Sequence, residues 1–125
     1  MINPPSSTPV LVLGAHPDPS RYAYKAAVLL LQKGYSVQLN GIRTGSIQGI
    51  PIQPDFPISN SIHTVTLYIN AQRSNALLQE LIALKPKRII FNPGTENPAL
   101  AQALQAAGMQ IETACTLVLL HTGQF

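Results

Sequence analysis

Acidic side chains are scarce in this chain: five Asp and Glu among 125 residues, against eight Lys and Arg, for a formal net charge of +3. The cations are scattered instead of forming a stripe, and aromatic residues make up only 6%. A basic, base-stacking face of the kind that grips nucleic acid is therefore not expected. The single cysteine, Cys115, excludes an internal disulfide and a cysteine-based structural metal site. His63 and His121 have no partner at ligand spacing, so no metal is expected either. No apolar run approaches the roughly 20 residues of a membrane span. Met1 to Pro9 is rich in Pro and Ser and lacks the basic and apolar segments of a signal peptide. These absences point to a cytoplasmic, single-domain protein: residues 1–9 a flexible lead-in, residues 10–125 the domain, and a small anion as the natural ligand.

What is present begins with Val10-Leu11-Val12-Leu13, an apolar run that ends at Gly14 and passes through Ala15-His16-Pro17-Asp18-Pro19-Ser20 to Arg21. A buried strand delivering a glycine turn and then a helix is the arrangement that builds an anion site. The first backbone N–H groups of a helix have no intrahelical partner and carry the positive end of its dipole. Arg21 and Lys25, four residues apart, add charge on one helical face.

Strand and helix signals alternate along the whole chain. A helix is expected over Arg21 to Lys33, where Ala23, Ala26, Ala27, Leu30 and Leu31 recur at helical spacing and Gly34 provides the stop. Ser36 to Leu39 reads as a second strand. The stretch from Gly41 to Ser61, broken by glycines and prolines, reads as a loop with an extended edge piece at Ile50 to Gln53. His63 to Tyr68 is a third strand, Ala71 to Leu84 a helix, and Arg88 to Phe91 a fourth strand. Asn97-Pro98 opens another helix, with Asn as its cap and Pro in its first turn, and Gly108 closes it. A fifth strand at Gln110 to Thr113 and a short helix from Thr116 to about His121 complete the pattern. The fold class is α/β: a three-layer, Rossmann-like, doubly wound sheet of about five mainly parallel strands with helices on both faces. Such sheets bind ligands beyond the carboxyl ends of their strands, where strand order reverses.

The identity of the nucleotide turns on two further absences. The first turn has Gly14 alone, without the second and third glycines of G-x-G-x-x-G, and no carboxylate follows the second strand. NAD is disfavoured on both counts. Arg43 stands in that second place instead and suits an additional phosphate, as in NADP or the 3′-phosphate of coenzyme A. Three segments, Gly14-Ala15-His16-Pro17-Asp18-Pro19-Ser20-Arg21-Tyr22, Val65-Thr66-Leu67-Tyr68-Ile69-Asn70 and Phe91-Asn92-Pro93-Gly94-Thr95-Glu96-Asn97, resemble the small stand-alone CoA-binding domain proteins. These are similar to the N-terminal domain of the succinyl-CoA synthetase α-subunit, and the resemblance runs from about Val10 to the C-terminus. It implies that the first turn and the residue after strand two hold the CoA phosphates, and that strand three and its loop flank adenine and ribose. Carried onto this sequence, it assigns ligand contacts to Gly14, Ala15, His16, Ser20, Arg21, Arg43, Tyr68, Ile69 and Asn70. His16 stands where the family often has serine, and Gly41-Ile42-Arg43 where it often has Asn-Pro-Lys. The synthetase's phosphorylated histidine belongs to a second domain without a counterpart in this sequence, so the resemblance does not imply ligase activity.

Each of these residues also has a plain role. His16 serves equally well to cap its turn, Glu96 complements the helix that Asn97 caps, and Cys115 reads as a small buried residue. Tyr22 either packs or closes over a ligand. His16, Glu96 and Cys115 show no recognised catalytic spacing, so binding is the supported expectation and chemistry is not. The leading expectation is a non-catalytic module for coenzyme A or acyl-CoA; the alternatives are an NADP-binding oxidoreductase-like domain and an acyl-CoA-handling enzyme using Cys115 or His16. The many apolar side chains and few charges favour a homodimer, with a separate partner subunit as the other way to cover surface.

Overall fold

The computed structural model describes residues 8–57 and 61–125. The lead-in expected over residues 1–9 lies outside them except for Thr8 and Pro9. Thr8 is buried, and the Pro9 carbonyl accepts hydrogen bonds from the backbone N–H groups of His63 and Thr64.

The chain runs β1 (Val10–Leu13), α1 (Tyr22–Gln32), β2 (Val37–Asn40), β3 (Ser46–Ile47), β4 (Ile50–Gln53) and β5 (Thr64–Leu67). It continues through α2 (Ala71–Ser74), a 3-10 turn at Asn75–Leu77, α3 (Leu78–Leu84), β6 (Arg88–Phe91), α4 (Pro98–Ala106), β7 (Gln110–Thr113) and α5 (Thr116–His121). The strands form one sheet in the order β3-β4-β2-β1-β5-β6-β7. All neighbours pair in parallel except β3 and β4.

The α/β class is as expected, with seven strands where about five were expected. The two further strands lie in the glycine- and proline-broken stretch: β4 is the extended edge piece expected at Ile50 to Gln53, and β3, read as loop, pairs with it as a hairpin. Its turn is Gln48-Gly49, with φ of 49° and 83°. Positive φ at both central residues matches the right-handed twist of a hairpin, but Gln in place of Asn or Asp hides that signal. The helix expected over Ala71 to Leu84 is also corrected. It is broken into α2, the 3-10 turn and α3, the backbone leaving helical geometry at Leu77, with φ of −107° and ψ of 8°.

The alternation of side chains along each strand divides the core in two. Val10 and Val12 face α1 and α5, meeting Ala23, Ala27, Leu30 and Leu120. Leu11, Leu13, Val65, Leu67, Ile89 and Phe91 face α3 and α4. β1, β5 and β6 are buried at every position, as strands covered on both faces must be. The alanines of α1 let that helix lie close to the sheet.

Two polar clusters are built into the α5 face. Asn92 donates from Nδ2 to Thr66 Oγ1 (2.7 Å) and the Leu67 carbonyl (2.8 Å), and its Oδ1 accepts from the Thr116 N–H at 2.8 Å. The hydroxyls of Thr66 and Thr116 share a hydrogen bond of 2.7 Å. At the other end of the strands the buried Arg88 donates to Thr64 Oγ1 (3.2 Å) and to the Phe125 carbonyl (2.8 Å), and pairs with Glu112 at 3.5 Å.

His63 sits beside this second cluster, its Nδ1 2.8 Å from Thr64 Oγ1. With Arg88 donating to it, the Thr64 hydroxyl is placed to donate to an unprotonated Nδ1. Burial holds the His63 pKa below its ordinary 6.5, with Arg88 and then Lys87 adding to the depression. The unfolded chain thus takes up this proton more readily than the folded one, so stability is full above 6.5 and falls as pH drops through the folded pKa. Melting temperature should decline between about pH 7 and pH 5 in the wild type and decline less in His63→Gln. Parallel declines in the two proteins would contradict this.

Candidate functional site

β1 occupies the switch point of the sheet: the chain leaves it toward β2 and β4 on one side and returns to β5 on the other. The loops after β1 and β5 diverge there, and a cleft of about 360 Å³ opens between them. Gly14 makes that approach close. Its φ is +103°, and a Cβ would stand 2.9 Å from the Tyr68 carbonyl carbon and oxygen and 2.8 Å from Ile69 Cγ2. Gly41 does the same for the loop after β2, where a Cβ would collide with the Ala15 carbonyl oxygen.

Six of the nine residues assigned from sequence line this cleft: Gly14, Ala15, His16, Arg21, Arg43 and Tyr68. The other three shape it without lining it. The Ser20 hydroxyl donates to Asp18 Oδ1 at 2.9 Å. Ile69 is buried against Gly14, and Asn70 caps α2 by accepting from the Arg73 N–H at 2.9 Å. Arg73 itself lines the cleft, and sequence reasoning missed it. The signal was available: a cation in the first helical turn after a strand, as Arg21 is after β1.

The first turn is internally braced. The Asp18 N–H donates to His16 Nδ1 at 3.0 Å, so the neutral imidazole carries its proton on Nε2 and can donate from there. His16 thus caps its turn and still has a donor to offer. The Ser20 N–H and hydroxyl hold the Asp18 carboxyl below its ordinary pKa, with smaller contributions from His16 and Arg21. Asp18 is therefore an anion already engaged by its own turn, and it does not line the cleft.

The start of α1 is electrostatically incomplete. Its N-cap is Arg21, no side chain caps it, and no acidic residue lies in its first turn. A cation at the positive end of a helix is the unfavourable arrangement, relieved by an anion. Arg21, Arg43 and Arg73 all face the cleft, and among the described residues the ion pair found is elsewhere, between Arg88 and Glu112. None of the five carboxylates lines it. Beside the guanidinium groups stand two exposed apolar side chains, Tyr22 and Ile42, with Lys25 Nζ 5.4 Å from the Tyr22 ring centroid.

Tyr68 forms part of the wall, and its hydroxyl is buried without completing a hydrogen bond. Burial pushes its pKa up to about 12, against a smaller downward pull from the nearby hydroxyls of Thr116 and Thr66. Those two hydroxyls are engaged with each other, and that of Thr66 also accepts from Asn92. Tyr68 therefore stays protonated. Removing a buried hydroxyl that has no partner relieves its desolvation, so Tyr68→Phe should match the wild type in stability or exceed it by up to about 1 kcal/mol. A loss of more than about 1 kcal/mol in urea denaturation would show that the hydroxyl is bonded after all.

Glu96 and Cys115 take plain positions. Glu96 is exposed, and its Oε1 accepts from the Gly94 N–H at 3.0 Å, bracing its own loop. Cys115 is half-buried at the N-cap of α5 and makes no side-chain cap bond. Among the described residues no group of acidic, His or Cys side chains could hold a metal ion, and no helix is long and apolar enough to cross a membrane.

The sheet order, the switch-point cleft and its unpaired cations define a Rossmann-like nucleotide-binding domain. More specifically, the chain belongs to the CoA binding domain family, whose sequence profile matches residues 8–121. No curated protein matches the chain. Among solved structures, a crystal structure titled as an uncharacterized protein is 41% identical, with a TM-score of 0.93, over 96% of this chain and 99% of that one. A protein of Thermus thermophilus is 24% identical with a TM-score of 0.81, covering 95% of this chain and 91% of its own. A hypothetical protein from Pyrococcus horikoshii OT3 is 22% identical with a TM-score of 0.83, covering 94% and 84%. The last two likenesses are of fold alone.

Proposed function

We propose that this protein is a non-catalytic module that binds coenzyme A or acyl-CoA in the switch-point cleft, with its phosphates against the start of α1. The observation that carries this reading is the concentration of positive charge there: a helix N-terminus without a side-chain cap, with Arg21 and Arg43 facing the same space and, among the described residues, no carboxylate in its lining. The backbone around Gly14 and Ala15 and the Nε2 donor of His16 offer further hydrogen bonds to phosphate oxygens. Tyr22 and Ile42 supply apolar surface for the adenine, while Tyr68 forms the wall that adenine and ribose lie along, with Ile69 and Asn70 shaping it from outside the lining. The ligand relieves a strained electrostatic arrangement and so stabilises the fold by mass action.

Isothermal titration with coenzyme A, with NADPH as control, tests the reading. Saturable heat with coenzyme A and none with NADPH is expected. Equal binding of both ligands, or no heat with coenzyme A, would overturn it. The protein is placed in the cytoplasm and expected to form a homodimer. The outer side of α1 and α5 supports that, with Val118 exposed and Leu29 and Leu117 only half-buried. Light scattering at a single-chain mass would contradict the dimer.

A further inference from the structure

α2 is a single turn of four residues, too short to be stable on its own, because a first helical turn fixes several residues for one hydrogen bond. It carries Arg73 into the cleft. Asn70 caps it locally by accepting from the Arg73 N–H at 2.9 Å, and a second set of contacts comes from a different element. Asn97, buried at the start of α4, accepts from the Leu100 N–H at 3.2 Å through Oδ1 and so caps its own helix. Its Nδ2 reaches across to α2 and the residue after it: the Ala71 carbonyl (3.3 Å), Ser74 Oγ (3.0 Å) and Asn75 Oδ1 (2.7 Å). Ser74, fully buried, donates in turn to the Ala71 carbonyl at 3.2 Å. One side chain therefore caps α4 with its oxygen and ties down α2 with its nitrogen.

We infer that Arg73 is a third phosphate-contacting residue of the cleft and that Asn97 is a positioning residue that holds it there. This rests on the CoA reading of the site. Three guanidinium groups without an ion pair among the described residues fit a ligand carrying three phosphate groups, a diphosphate and a separate monoester, better than they fit a lone phosphate. Arg73 arrives from β5, across the switch point from the loops that bring Arg21 and Arg43, so the ligand is held from both sides of the cleft.

The substitution Asn97→Asp separates the two functions of Asn97. It keeps the oxygen that caps α4 and removes the donor that reaches α2. Titrations with coenzyme A would compare the wild type with Arg73→Ala, Arg73→Lys, Asn97→Asp and the double variant Arg73→Ala/Asn97→Asp, with melting curves for each. Arg73→Ala is expected to weaken binding about ten-fold, the lower end for a charge-assisted contact, and Arg73→Lys by less. Asn97→Asp should weaken binding in the wild type and add nothing in the Arg73→Ala background, even though it lowers the melting temperature in both. Unchanged affinity in Arg73→Ala overturns the phosphate contact. An equal loss from Asn97→Asp in both backgrounds overturns the positioning role, since a general structural effect would be felt with or without Arg73. Should Asn97→Asp melt below the assay temperature, Asn75→Ala, which removes one exposed acceptor of Nδ2, is read in the same cycle. Absence of binding in the wild type overturns the CoA reading and this inference together, whereas wild-type binding with unaffected variants overturns this inference alone.

Discussion

Replacing Arg21 and Arg43 together with alanine is expected to weaken coenzyme A binding by about 2–3 kcal/mol, roughly 30- to 150-fold. Each guanidinium is exposed in the free protein, so each contact is worth less than a buried charge-assisted bond. The sum still dominates because nothing else in the cleft carries a full charge on that side. The melting temperature of the ligand-free variant should hold or rise. Among the described residues neither arginine makes an ion pair, and relief of a cation at the positive end of α1 offsets the small loss of attraction between Arg21 and Asp18. An affinity within about three-fold of the wild type would refute the phosphate assignment, and a large fall in ligand-free stability would show that the arginines serve the fold.

The second large effect falls on the scaffold. Gly14→Ala should cost about 4 kcal/mol of stability, from two sources of comparable size. A φ of +103° is a conformation that side chains rarely adopt, which costs on the order of 1–3 kcal/mol. The added methyl must also displace the Tyr68 backbone and Ile69 from within 3 Å, an overpacking cost of roughly 1–3 kcal/mol. Relief of that collision moves the β1 and β5 loops apart, so the variant should lose coenzyme A binding along with stability. Urea denaturation reads the first effect. A loss below about 1 kcal/mol would mean that the loops are not held as closely as the structure places them.

The sequence made the layered architecture readable because its signals are local: short apolar runs ending at Gly14 and Phe91, the alanine stripe of α1, and the Asn97-Pro98 helix start all act within a few residues. Of the β3–β4 hairpin, β4 was legible as an extended piece, but β3 was hidden because it is two residues long and its turn is Gln48-Gly49. The break between α2 and α3 was hidden for a different reason. Leu77, Leu78, Leu81 and Ile82 keep a helical period across it, while the departure is confined to the backbone of Leu77, an apolar residue that gives no turn signal. The site follows the same division. Residues in the first turn were legible from the strand–glycine–helix order, and Arg43 from its place after β2. Arg73 carried a local signal, a cation in the helical turn after a strand, but only the strand order that sets β5 beside β1 brings that turn to the cleft. Ser20 and Asn70 were assigned as ligand contacts by the family resemblance. Their side chains are already committed, to Asp18 and to the α2 cap respectively.

The claim on which the rest depends is that coenzyme A occupies the cleft between the β1 and β5 loops. Backbone amide chemical-shift mapping of the labelled protein during a coenzyme A titration tests it most directly. The account predicts the largest shifts at Gly14, Ala15, His16, Arg21 to Ala23, Ile42, Arg43 and Tyr68, with little change along β6 and β7 below their carboxyl ends. Shifts concentrated instead on the opposite flank of β2 and β4, where Gln38, Gln53 and Phe56 line a separate groove of about 530 Å³, would contradict it.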